Sequence, residues 1–159
     1  VVNPKERAIQ TGGVGTLDRV LNNTVIGASI PSAIGISLGN PSVQQARNNI
    51  ISGFTVGVEN QGGTGTLNSH NLFHNISVNN LTNNGVAGSP GAGSLLATDP
   101  LFLSSESYKL QVLSPARLVG VTYYGCIDFR GRMCNSPPDI GAYQSSTGDP
   151  ASPRALRSP

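Results

Sequence analysis

Tryptophan is absent from the sequence, methionine occurs once, and aromatic residues make up only 5% of it. No apolar run approaches the ~18–20 residues that a spanning helix needs, which excludes a membrane-crossing helix. Ala, Leu, Glu and Lys dominate no window, so long amphipathic helices are excluded as well. Charge is scarce, at 11% of residues and a net +2. With no basic run and no aromatic interleaving, the chain lacks the electrostatic footprint of a nucleic-acid binder. What the 159 residues hold instead is 20 Gly, 11 Pro, 15 Asn and 18 Ser, residues that favour turns. Val, Ile and Leu recur through the first half, which argues against disorder, and the length suits one domain with its own core.

Cysteine is nearly absent too. Cys126 and Cys134, in GCIDFRGRMC, are too few for a zinc site of about four ligands. A local disulfide closing this loop is the expectation, with two free thiols as the alternative. The opening VVNPKERAIQTGG has no charged segment followed by an apolar one, so no signal peptide is visible, and it reads as the middle of a longer chain.

A repeat dominates the first half. Leu21-Asn22-Asn23-Thr24-Val25-Ile26-Gly27 aligns with Arg47-Asn48-Asn49-Ile50-Ile51-Ser52-Gly53 and with Ser69-His70-Asn71-Leu72-Phe73-His74-Asn75. Ile34, Val56 and Val78 form a second column, beside which run Gly35, Gly57 and Asn79, then Ile36, Val58 and Asn80. Thr16-Leu17, Ser42-Val43 and Thr66-Leu67 make a fainter third. Three short extended segments per period of roughly 24 residues are the signature of a stacked architecture.

Each segment is too short to form a sheet alone. If every strand pairs in parallel with its copy one winding on, ~4.8 Å away, matching positions sit above one another. Val25, Ile51 and Phe73 are then expected to form one inward file, and Ile34, Val56 and Val78 another. Asn23, Asn49 and Asn71 suit the turn, because Asn tolerates left-handed backbone and stacked amides can bond as a ladder. The expected fold is all-β: a right-handed, single-stranded parallel β-helix of about three to four rungs, the hand following the general preference for right-handed parallel connections. The rungs occupy residues 1–85, a Gly/Ser/Ala-rich loop 86–98, a non-repetitive cap 99–144 with Phe102, Leu110 and Tyr143 as its plugs, and a disordered tail 145–159.

The order Asp99-Pro100-Leu101-Phe102, Tyr108-Lys109-Leu110, Ser114-Pro115-Ala116, Arg130-Gly131 and Asp139-Ile140-Gly141-Ala142-Tyr143 resembles the C-terminal end of bacterial right-handed parallel β-helix proteins. Their fold is shared with pectate lyases and other polysaccharide lyases. The resemblance covers roughly residues 9 to 144 and departs at Arg117-Leu118-Val119 and at Gln144, where Glu is common. It implies the architecture and leaves activity open, since the group includes lyases, hydrolases and adhesins.

The chemistry such enzymes need is thinly represented. Lyases use a base and, in many cases, Ca²⁺ held by carboxylates. Glu6, Asp18 and Glu59 are the acids of the repeat region, and no two share a column one rung apart. Hydrolysis needs two carboxylates on one groove, and Asp18 and Glu59 belong to different columns. His70 and His74 lack a third metal ligand. His70 reads as a substitute for Asn22 and Asn48 in the turn stack, and His74 as an outward residue in the column of Ile26 and Ser52. An outward His74 would make His74→Ala neutral within about 0.5 kcal/mol. Arg47 and Lys109 are single cations suited to surface solvation or to a sugar acid. Tyr123-Tyr124 suits cap packing or a stacking platform for sugars. Asn22-Asn23-Thr24, Asn75-Ile76-Ser77 and Asn80-Leu81-Thr82 match the glycosylation pattern, to which Asn-rich turns give rise by chance. GGVGTL and QGGTGTL lack the Lys and the helix of a phosphate loop.

The expected function is therefore a noncatalytic β-helix segment of a secreted or cell-surface protein that contacts polysaccharide. No catalytic residues, metal ligands or cofactor are assigned. A homo-oligomer through the uncovered first rung is the further partner expected, with neither nucleic acid nor a membrane span. One alternative is the terminal part of a polysaccharide lyase or glycoside hydrolase whose catalytic rungs lie elsewhere. Another is an ice-binding coil, for which only Thr64-Gly65-Thr66 resembles the required Thr row while Asn40 to Ser42 lacks it.

Overall fold

The computed structural model describes residues 6–12, 17–29, 31–39, 43–62 and 67–145. Thr16, Ser42, Thr66, the Thr64–Thr66 row, Asn40 to Ser42, most of the two Gly-rich strings and the tail beyond Ser145 lie outside these residues. The described part is all-β and without helices, so no helix is long and apolar enough to cross a membrane.

Three windings alternate among three sheets. Strands β1 (Arg7–Gly12), β4 (Ile34–Gly39), β7 (Val56–Asn60) and β10 (Asn79–Asn83) lie side by side in parallel, with β11 (Val86–Ala87) added antiparallel. Strands β2 (Leu17–Leu21), β5 (Val43–Arg47) and β8 (Leu67–Ser69) form the second sheet, and β3 (Thr24–Ile26), β6 (Ile50–Ser52) and β9 (Leu72–His74) the third, both parallel. Such cyclic visiting of parallel sheets is compatible with a β-helix.

The corner between the second and third sheets comes from two adjacent residues with different tasks. Asn22, Asn48 and His70 take the left-handed conformation, with φ of 53°, 56° and 52°, which bends the chain sharply. Asn and His are among the non-glycine residues that enter this region most readily. The ladder belongs to the next residue along. The Asn23 backbone N–H donates to Asn49 Oδ1 at 3.0 Å, and the Asn49 backbone N–H to Asn71 Oδ1 at 3.0 Å. The expected pairing of left-handed backbone and amide ladder in one residue is thus split over two.

Val25, Ile51 and Phe73 stand in one register file and are each fully buried. They share a core with Val20 and Ala46 of the second sheet and Ile36, Leu38, Val58 and Leu81 of the first. The expected file of Ile34, Val56 and Val78 is not observed. Ile34 pairs with Val56, but Val56 pairs with Asn79, and Val78 is 65% exposed. The inward file is Ile36, Val58 and Leu81. The cause is one extra residue before β10. Val78 N and Asn79 N both donate to Thr55 O, a bulge that absorbs it and moves every later side chain to the opposite face. In the third column Leu17 pairs with Val43 as expected, whereas Leu67 pairs with Gln45.

Close stacking leaves little room at Gly35, Gly39 and Gly57 of the first sheet. A Cβ on Gly57 would stand 2.6 Å from Asn80 O and 2.6 Å from the Phe73 ring, so the small residue lets the aromatic core lie flat against the strand.

A second core lies on the other face of the third sheet. Ile50 and Leu72 point away from Ile51 and Phe73 and are covered by Leu110, Ala116 and Ile140, with Leu95 and Phe102 packed alongside. Burial on both faces explains why β6 and β9 carry consecutive apolar residues instead of an alternation. Residues 92–98 extend the same register. Leu72 bridges Leu95 in parallel, His70 N donates to Ala92 O, and Asn71 N finds Ser94 Oγ at 3.3 Å, where the ladder ends. Residues 99–144 then run along the flank of this sheet. Gly141 N bonds Asn48 O, and Ala142 N bonds Thr24 Oγ1. Phe102 and Leu110 bridge one another in this second core, whereas Tyr143 stands outside it against Phe129 and Arg130.

Candidate functional site

On the second sheet, strand alternation turns Val20, Gln44 and Ala46 inward and Arg19, Leu21, Gln45 and Arg47 outward. Parallel register places Arg19 beside Gln45 and Leu21 beside Arg47. The two guanidinium groups therefore rise from neighbouring strands of one face. Neither has an ion-pair partner among the described residues. Arg47 Nε is buried and unpartnered there, while the side chain as a whole is half-exposed.

A loop from the flank segment walls this face. Asn48 acts on it as a backbone mimic: its Nδ2 donates to Val121 O at 2.9 Å and its Oδ1 accepts from Val121 N at 2.8 Å. Two residues on, the Tyr123 hydroxyl donates to Asn22 Oδ1 at 3.0 Å. Asn48 Nδ2 also reaches Asn22 Oδ1, at 3.1 Å, so both turn asparagines take part in fixing the loop. Partial burial pushes the Tyr123 phenol above its ordinary value. Tyr124, next in sequence, is fully exposed. Together Arg19, Leu21, Gln45, Arg47, Tyr123 and Tyr124 enclose a trough of about 430 Å³.

Past Tyr124 the loop is closed by the disulfide between Cys126 and Cys134, and Ile127 bridges Met133 inside it. The base of the loop is held by a charged clasp. Asp128, buried, accepts from Arg130 Nε at 3.2 Å and Arg132 Nε at 3.4 Å, while both guanidinium groups also donate to Gln144 O. The Gln144 side chain completes the clasp, with Oε1 accepting from Asp139 N at 2.8 Å and Nε2 donating to Asp139 O at 3.0 Å. An amide can make both bonds, and a carboxylate could make only one.

The other candidates lie apart from the trough. His70 sits in the turn stack of Asn22 and Asn48 as expected, its ring packed under Gly93. His74 shares the column of Ile26 and Ser52, yet it is half-buried and its Nδ1 lies 3.0 Å from Ser52 Oγ, so its outward assignment holds only in part. It lines a separate cleft of about 420 Å³ with Asn75, Asn80 and Asp99. Glu59 is engaged with Ser37 Oγ at 3.0 Å, Gln61 Nε2 at 2.6 Å and Arg7 at 3.8 Å, and Asp18 stands on a different sheet. Among the described residues no three His, Cys, Asp or Glu converge as a metal group. Lys109 lies on the flank beside Arg130 and Tyr143, away from Arg47.

Structure thus joins Arg47 to Tyr123 and Tyr124, three residues singled out separately in the sequence, and adds Arg19, Gln45 and Leu21. Arg19 could have been found from the repeat, since it lies two residues before Leu21, the counterpart of Arg47. No protein-family model, curated protein or solved structure matches the chain.

Proposed function

We propose that the chain is a noncatalytic stretch of right-handed, single-stranded parallel β-helix, similar to the pectate-lyase-like group, from a secreted or cell-surface protein, and that it holds anionic carbohydrate in the Arg19–Arg47–Tyr124 trough. The observation that carries this reading is the pairing of two guanidinium groups on one sheet face, without ion-pair partners among the described residues, with a fully exposed tyrosine on the loop that walls that face. Guanidinium groups match carboxylate or sulfate oxygens in a bidentate fork, and an exposed ring offers an apolar face to the C–H side of a pyranose. Among the described residues no carboxylate lines the trough to compete for the cations or to act as a base or nucleophile. Strands rather than loops supply both arginines, so their spacing is preset before ligand arrives.

Calorimetric titration with anionic and neutral oligosaccharides tests the reading. The anionic ligands bind and the neutral ones do not; affinity falls with added salt and drops about tenfold or more in Arg47→Gln. Incubation with uronate polymers yields no unsaturated product. Equal binding of neutral and anionic ligands, or accumulation of the unsaturated product, overturns it.

A further inference from the structure

Of the 15 asparagines, Asn84 alone is followed by glycine. The pair forms the whole connection between β10 and β11, because Asn83 faces Val86 and Thr82 faces Ala87. Both residues have positive φ, 48° at Asn84 and 78° at Gly85, as a tight two-residue hairpin turn requires. Both are exposed, and a Cβ on Gly85 would meet nothing within 4 Å. The Asn84 backbone N–H donates to Asn60 O at 2.8 Å, which holds the turn to the neighbouring strand. Among the described residues, neither the Asn84 side-chain amide nor the Gly85 N–H takes part in a hydrogen bond. An amide carbon and an unengaged backbone nitrogen one residue on thus lie side by side in open solvent, and glycine brings no side chain to hinder their approach.

We infer that Asn84-Gly85 is a self-modification site, at which the chain loses ammonia and gains an isoaspartyl link that uncovers the last long strand of the first sheet. The Gly85 nitrogen bonds to the Asn84 side-chain carbonyl carbon and gives up its proton. The carbon–nitrogen bond of the amide breaks, and ammonia leaves with that proton. Water then opens the five-membered imide at either carbonyl, giving aspartate or isoaspartate. Water is the only co-reactant, and nothing is oxidised or reduced. Isoaspartate routes the main chain through the side-chain carbon, which adds one methylene to a connection whose two-residue length sets the Asn83–Val86 register. β11 then no longer fits along β10. On that side, among the described residues, β10 is paired with β11 alone, and Gly88 N adds a bond to Leu81 O at 3.0 Å. Release of β11 leaves a bare edge, and bare edges pair with other chains. Asn75 is the internal control: it is exposed with φ of 50°, but the branched side chain of Ile76 shields the nitrogen that follows it.

The test holds the intact, disulfide-bonded chain in warm, mildly alkaline buffer and digests samples at intervals. Peptide mass spectrometry counts the amide-to-acid change at each asparagine, and enzymatic methylation of isoaspartyl carboxylates locates the rearranged link. Asn84 is expected to convert at least about tenfold faster than Asn75. Sedimentation of the same samples shows larger species that grow with the isoaspartyl fraction. Asn84→Gly, which keeps a glycine-glycine turn and has no amide to lose, retains the sedimentation profile it starts with. Conversion of Asn84 no faster than that of Asn75 overturns the site. An isoaspartyl chain that sediments unchanged, or association that grows equally in Asn84→Gly, overturns the uncovering of β10.

Discussion

Asn49 donates twice to a single acceptor: its backbone N–H and its Nδ2 each meet Oδ1 of Asn71 at 3.0 Å. One carbonyl thus holds two donors of the winding beside it, and the same arrangement repeats between Asn23 and Asn49. Asn49 Nδ2 further donates to Val20 O at 2.9 Å, which ties the corner to the preceding strand of the adjacent winding.

Asn49→Ala keeps the backbone bond to Asn71 but removes the four bonds made by the Asn49 side chain, and so takes away the side-chain partners of the Asn23 N–H and Val20 O at a largely buried corner. Unsatisfied buried groups of this kind cost about 1–3 kcal/mol each, so a loss of about 2–4 kcal/mol is expected in urea unfolding. A loss under about 0.5 kcal/mol would show that the ladder is not formed in solution.

Ile51→Asp and Val78→Asp distinguish the observed register from a strict 22-residue alignment. Ile51 is fully buried between Val25 and Phe73, where an unpaired carboxylate is not tolerated, and this variant is expected to be unfolded by circular dichroism. Val78, carried outward by the bulge, accepts Asp with a change of about 0.5 kcal/mol or less. Unfolding of both variants would place Val78 in the core.

His74→Ala is expected to cost about 0.5–1.5 kcal/mol, because it removes the contact with Ser52 Oγ while Ser52 remains buried. Restoration of stability in the double variant with Ser52→Ala, seen as a coupling term in the double-mutant cycle, checks this assignment.

Tyr123 makes stability depend on alkaline pH. Its folded pKa lies above the unfolded 10.0, so the folded state retains a proton that the unfolded state has lost. The stabilisation is full below pH 10.0 and is lost as pH rises through the folded value. Denaturation midpoints measured from neutral into alkaline buffer should fall above that point, and Tyr123→Phe should flatten the fall. An unchanged slope in the variant would assign the effect to another group.

Much of the fold is legible in the amino-acid order alone. Consecutive Asn residues at a fixed place in each period mark the corner, and the apolar residue two positions after the second Asn marks the inward file of Val25, Ile51 and Phe73. The Val78 file is not legible, because a bulge of one residue leaves the apolar pattern looking regular while reversing its faces. Ile50-Ile51 and Leu72-Phe73 do signal burial on both sides, but nothing in them says that the second cover comes from Leu110, Ala116 and Ile140. The trough is legible only in pieces. Arg47 and Tyr123-Tyr124 attract notice on their chemistry, yet their meeting depends on the Asn48–Val121 pair, 73 residues apart in the chain, which no local pattern encodes.

Everything placed on the second sheet depends on β2 and β5 lying in the register that sets Arg19 beside Gln45. The direct measurement is oxidation of two double-cysteine variants, followed by mass spectrometry of the unreduced digest. Arg19→Cys with Gln45→Cys puts thiols on facing residues one strand spacing of ~4.8 Å apart, within the Cα range of a disulfide. Arg19→Cys with Arg47→Cys puts them on a diagonal that exceeds that range. A cross-link that forms readily in the facing pair while the diagonal pair stays reduced is the result the register requires; a cross-link in the diagonal pair, or none in the facing pair, would contradict it.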